Sequence, residues 1–287
     1  MRNWLFAIVV VISGCATSNE SAAPPRAVSS TPATVMASEE LPKSSFLPQQ
    51  SAIAPGTKYV VIQTTGGSAF LGPILGNMNI SAKTREMAER YKDSVFGIDP
   101  TPMASVAMKT AGVPDVGRGS AYVVRPFVFV QQCDDGQFRL SLVFHVESNA
   151  ADKPWIQRYI YDLPTSYDSS HFEALTSIEV ANYQQELSEG SVILARLMQR
   201  DLAGQLLETG RAVNYGSLYM IGSKIGGMGI YTKPEDLHFK GQLIEETDAY
   251  VTVRLSGHMH NTVVGGGLVF GIHRSNKNLV HTLSPVG

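Results

Sequence analysis

Two apolar runs, "AYVVRPFVFVQQ" and "QFRLSLVFHVE", meet at Cys133-Asp134-Asp135-Gly136. Asp and Gly tolerate the backbone conformations of a tight reversal, so Asp-Gly between alternating runs is a strong hairpin signal. In the second run Phe138, Leu140, Leu142, Phe144 and Val146 alternate with Arg139, Ser141, His145 and Glu147. Period two sends these sets to opposite faces, which predicts an antiparallel sheet buried on one side and wet on the other. "WIQRYIYDL" reads as a third strand, and "KYVVIQTTGG" as another from Lys58 to Thr64, ended by glycines.

Such a sheet must cover its apolar face, and helical periodicity supplies the cover. Ser81 is placed to cap a helix carrying Met87, Ala88 and Tyr91 on one face, and a short helix is expected over Pro102 to Thr110. Phe172 to Leu187 reads as helix up to a break at Gly190; "GSVILARLMQRDLAGQLLETG" then aligns Leu194, Met198, Leu202 and Leu206 and closes at Gly210. The fold class is therefore α+β, an antiparallel sheet packed by helices. From Val213 short strands and glycines dominate, giving a small β-rich C-terminal module over 213–287 that is either separate or an extension of the same sheet. Within it "FKGQLIEETDAYVTVRLSG" resembles the first hairpin of SH3-like or Sm-like barrels, which implies a small, strongly bent sheet.

The amino terminus has a different character. Arg2 precedes an apolar stretch from Trp4 to Ile12, shorter than the about 20 residues a spanning helix needs, and Ile12-Ser13-Gly14-Cys15 follows. This order resembles the lipobox of bacterial lipoproteins. The resemblance implies a signal peptide over 1–14, lipid on Cys15, and, with Ala16 next in place of aspartate, an outer-membrane, periplasm-facing location. Residues 15–56 are rich in Ser, Ala, Pro and Thr and read as the lipidated cysteine followed by a disordered tether. The folded part is then expected at 57–212 with the module at 213–287.

A formal net charge of −2 leaves no basic footprint for nucleic acid. Cys133 is the one thiol besides Cys15, so no internal disulfide is expected once Cys15 carries lipid. His258 and His260 lie two apart, which on a strand points both imidazoles to one face as candidate metal ligands, with His238, His273 and His281 as further donors if the fold gathers them. A structural zinc site takes about four ligands, so exposed turn histidines are the competing reading. "GSKIGGMG" lacks the Lys-Ser/Thr ending of a phosphate loop, and no nucleophile elbow or His-Glu-x-x-His is present. Glu245 and Glu246 alternate across a strand and cannot face each other as a carboxylate pair.

No cofactor is implied. These features favour a lipid-anchored envelope protein with a non-catalytic binding or scaffolding role toward an envelope protein or a cell-wall component. The alternatives are a periplasmic hydrolase with a site assembled from distant residues, and a membrane-perturbing protein using the apolar segment around Gly72 and Gly76.

Overall fold

The computed structural model describes residues 33–48, 50–63, 72–114, 117–132, 135–149, 155–206, 208–220, 222–223, 231–232, 237–257 and 268–287. Its elements in chain order are β1 (Val35–Ala37), β2 (Ala52–Ile53), β3 (Tyr59–Gln63), α1 (Gly72–Tyr91), α2 (Thr101–Thr110), β4 (Tyr122–Gln132), β5 (Gln137–Ser148), β6 (Ile156–Asp168) and α3 (Ser177–Leu202). The strands β7 (Ala212–Ser217), β8 (Gly222–Ser223), β9 (Tyr231–Thr232), β10 (Phe239–Glu246), β11 (Tyr250–Leu255), β12 (Gly271–Asn276) and β13 (Val280–Pro285) follow. Apart from the β8–β9 ribbon they form one 11-stranded sheet in the order β13-β7-β10-β11-β12-β6-β5-β4-β3-β2, with β1 also on β4. The fold is α+β, and its sheet is mixed: β1 and β3 run parallel to β4, and β12 runs parallel to β6.

The hairpin at Asp135-Gly136 forms as expected. Gly136 takes φ 77°, the left-handed region that favours glycine. Asp135 accepts from the Gln137 amide and from both terminal nitrogens of Arg139. Phe138, Leu140, Leu142, Phe144 and Val146 are buried beneath the helices. The opposite face is not wet, which corrects the one-sided sheet. Val143, Phe127, Phe129, Val60, Ile62 and Ile160 form a second apolar cluster there with Leu47 and Leu268, and Arg139, Ser141 and His145 are buried beside it. The polar residues alternate correctly, but they are enclosed by chain segments distant in sequence, with Arg139 and Ser141 hydrogen-bonded internally.

The helices cover one face. Met87, Ala88 and Tyr91 of α1, Ala104, Ala107 and Met108 of α2, and Leu187, Leu194, Leu197 and Met198 of α3 join the strand side chains in the largest core cluster. Three boundaries differ from expectation. α1 begins at Gly72, so Ser81 lies inside it, and Pro73 falls in the first turn, where a missing amide costs nothing. Gly72 and Gly76 are therefore part of α1, and no described helix is long and apolar enough to cross a membrane. α3 starts at a Thr176/Glu179 capping box and runs through Gly190 to Leu202, where the chain turns at Gly204, short of Gly210. Gly190 is a packing point and not a break: a Cβ there would lie 2.6 Å from the Tyr161 ring, so α3 rests directly on β6 and β5.

The tether expected over 15–56 gives up its second half to the fold. β1 pairs with the start of β4, the Tyr122 amide donates to the Thr34 carbonyl, and the Ser38 amide donates to the Val124 carbonyl. Composition missed this because the segment is ordered by backbone pairing to an open strand edge and by isolated buried side chains such as Val35 and Leu47, which form no periodic pattern. Both β1 and β3 lie on the same edge of β4, and the chain between them includes β2, which pairs with the outer side of β3. Val124 and Val128 direct their backbone groups to that edge. By period two Pro126 faces the same edge in the gap between the partners, where it has no amide bond to lose.

The C-terminal strands continue the sheet: β12 is bonded along β6 through Ile272–Tyr159, His273–Ile160 and Arg274–Tyr161. The segment likened to a barrel hairpin is the β10–β11 pair, bulged between Leu243 and Glu245, in a sheet that stays open.

Candidate functional site

Of the residues singled out from the sequence, Cys15, Cys133, His258, His260 and most of the glycine loop lie outside the described residues. His238 and His281 are exposed, whereas His273 is buried and its Nε2 lies 2.9 Å from the Val269 carbonyl oxygen. Among the described residues no group of three or more His, Cys, Asp or Glu is arranged to hold a metal ion. Glu245 pairs with Arg200 and Arg274, and Glu246 with Arg211 and Lys277; the latter three line a surface depression with Thr209 and Asp248.

The fold gathers three buried polar groups that alternation could not foresee, because each joins strands far apart in sequence. On the helix-covered face, Arg254 of β11 donates to Asp201 Oδ1 at the end of α3 at 2.9 Å, and the Tyr159 hydroxyl of β6 donates to Oδ2 at 2.8 Å. On the other face, Ser141 and Ser275 donate to the two carboxylate oxygens of Asp162 at 2.9 and 2.6 Å. Since the Ser275 proton is used, the Tyr215 hydroxyl donates to Ser275 Oγ at 2.5 Å. Burial pushes the Asp162 carboxyl up to about 6, against the two serine hydrogen bonds that favour its charged form.

The third group is the most unusual. Arg125 of β4, His145 of β5 and Arg158 of β6 are direct cross-strand neighbours on the face away from the helices. Residues 38–47 cross over them. Arg125 donates to Ser38 Oγ and Glu40 Oε2, each at 3.0 Å, and to Glu147 Oε1 at 3.0 Å. Arg158 donates to the Phe46 carbonyl oxygen, and the Phe46 ring stacks on His145 at 5.4 Å between centroids. His145 is 0% exposed and neither ring nitrogen makes a hydrogen bond among the described residues, although Nε2 lies 3.3 Å from Glu147 Oε1 at an unsuitable angle. Burial pulls the imidazole down to about 4, with Arg158 and Arg125 adding to the effect against Glu147. Arg158 is brought down to about 9 by burial alone.

These shifts give the fold a defined acid response. His145 and His273 both sit at about 4, chiefly through burial. A base whose folded-state value lies below its unfolded value contributes stability that is full above about pH 6.5 and is lost as pH falls toward about 4. Asp162, raised by burial, acts in the opposite sense and favours the fold as pH falls from about 6 toward 4. Two histidines outweigh one aspartate, so stability is expected to fall by a few kcal/mol (order of magnitude) between about pH 6.5 and 4. Asp162→Asn should steepen that fall. Urea unfolding across this range checks both expectations; a flat profile would show that the imidazoles are not held neutral.

Neither Arg125 nor Arg158 stands out in the sequence. The available signal was a charged residue in the middle of each apolar run, at positions that the hairpin register makes neighbours. Compared with known protein families and with curated proteins, the chain matches none.

Proposed function

We propose that this chain is a lipid-anchored protein of the bacterial cell envelope, tethered to the outer membrane through Cys15 and facing the periplasm, with a non-catalytic binding or scaffolding role. The observation that carries the reading is the run from Arg2 through the apolar stretch to Ile12-Ser13-Gly14-Cys15. Several acyl chains on one residue make a stable anchor, each buried methylene contributing about 0.8 kcal/mol. With β1 starting at Val35, residues 16–32 connect Cys15 to the described chain, and no chain of that length can reach further than about 60 Å. The folded part is then held close to the bilayer surface.

A binding role over a catalytic one is supported by where the strongest titratable groups sit. Asp162, Asp201, His145 and His273 are all enclosed and spent on internal contacts or beneath the 38–47 segment, away from any substrate. The partner on this reading is another envelope protein or a cell-wall component. Cys15→Ala is expected to move the protein from the membrane to the soluble fraction; fractionation of cells making that variant tests it, and unchanged membrane retention would remove the lipoprotein reading.

A further inference from the structure

We propose that residues 38–47 are a releasable strap, and that they cover a binding site for an oxyanion, the carboxylate or phosphate group of a ligand that competes with Glu40. The site is the row Arg125, His145, Arg158. Adjacent strands are about 4.8 Å apart, so the two guanidinium-bearing positions are about 10 Å apart with the imidazole between them. The strap now supplies what an anionic ligand would: the Ser38 hydroxyl and the Glu40 carboxylate to Arg125, and the Phe46 carbonyl oxygen to Arg158. Arg125 and carboxylates pair naturally, since a guanidinium presents several fixed donors.

Charge and exposure show which part of this arrangement can exchange. Arg125 is paired with both Glu147 and Glu40, and His145 is neutral at neutral pH. Departure of the strap removes Glu40 and leaves Arg125 with Glu147 alone, so an anion can take the donors that Glu40 vacates. Glu40 is 82% exposed and Arg125 17%, so solvent reaches the site at this end, and an ion pair of this kind is weak. His145 is fully enclosed, neither ring nitrogen makes a hydrogen bond of good geometry among the described residues, and from the strap it meets the Phe46 ring. A ligand oxygen at that point would give the imidazole a well-aligned hydrogen bond.

The test is calorimetric titration of the full chain with inorganic phosphate and, separately, with triglutamate at matched ionic strength; the two probes distinguish a phosphate from a carboxylate ligand. Glu40→Gln removes the competing carboxylate at an exposed position. It is expected to bind at least one probe about three- to fivefold more tightly than the natural chain. Adding Arg125→Gln should abolish that binding. Hydrogen exchange of the Ser38–Leu47 amides in the unaltered chain gives a second reading without any variant, and a saturating probe should accelerate it. Equal affinity with and without Glu40, binding that survives Arg125→Gln, no binding of either probe by any variant, or unchanged strap exchange would each overturn the proposal.

Discussion

Asp201→Ala is expected to destabilise the protein by about 3–5 kcal/mol, because it strips a buried guanidinium of its carboxylate. Arg254 is 4% exposed and Asp201 2%; beyond Asp201, Arg254 has Glu208 Oε1 at 3.0 Å, on a side chain 41% exposed. The same substitution also orphans the Tyr159 hydroxyl. Asp201 ends α3, Arg254 lies on β11 and Tyr159 on β6, so this one carboxylate joins the helical layer to strands from both halves of the chain. Replacing both charged partners, as in Asp201→Leu/Arg254→Met, should recover much of the loss, since the penalty lies in leaving one charge unpaired. Equilibrium urea denaturation decides the matter. A loss below about 1 kcal/mol for Asp201→Ala would mean that water reaches Arg254 and the ion pair is not a buried one.

Leu142→Ala is expected to cost about 2–5 kcal/mol. Leu142 is fully buried between Val128 and Tyr161, and its Cδ2 lies 3.4 Å from where a Cβ on Gly190 would be, so truncation opens a cavity under the tightest point of α3. The neighbouring Ser141→Ala was expected from alternation alone to be almost silent. The structure changes that: Ser141 is enclosed and donates to Asp162, so its removal takes one of the two hydroxyl donors from a buried carboxylate. A loss of about 1–2 kcal/mol is expected, larger above about pH 6 where Asp162 is charged. Denaturation of the two variants at pH 5 and pH 8 separates the cases. A Ser141→Ala loss that does not grow with pH would show that the serine does not support the charged form of Asp162.

The Asp135-Gly136 reversal, the pairing of β4 with β5, and the alternation of Phe138 through Val146 were all readable because each is a local property. Period two and turn chemistry are written in consecutive residues. The Leu194–Met198 stripe was legible for the same reason, and it packs on the sheet as its spacing requires. Gly190 was misread because a glycine in a helical run signals either a break or a close approach, and only the Tyr161 ring, supplied by a strand about thirty residues earlier, selects the second. The ordering of residues 35–53 was invisible for a related reason. Those residues are polar and proline-rich, and their order comes from β4 and β3 edges and from Arg125 and Arg158, none of which leaves a trace in the segment's own composition.

By itself, then, the sequence determined the α+β class, the hairpin, the helix faces, and the lipobox-like start on which the anchor proposal rests. Tertiary structure decided that the sheet is buried on both faces, that the strands after Val213 continue it through β6 and β12, and that Arg125, His145 and Arg158 stand side by side under a strap. The division follows range. Turn propensity and side-chain period act between residues a few positions apart, whereas a buried charge is explained only by the groups that enclose it, and for Arg158 one of these, Phe46, lies 112 residues away.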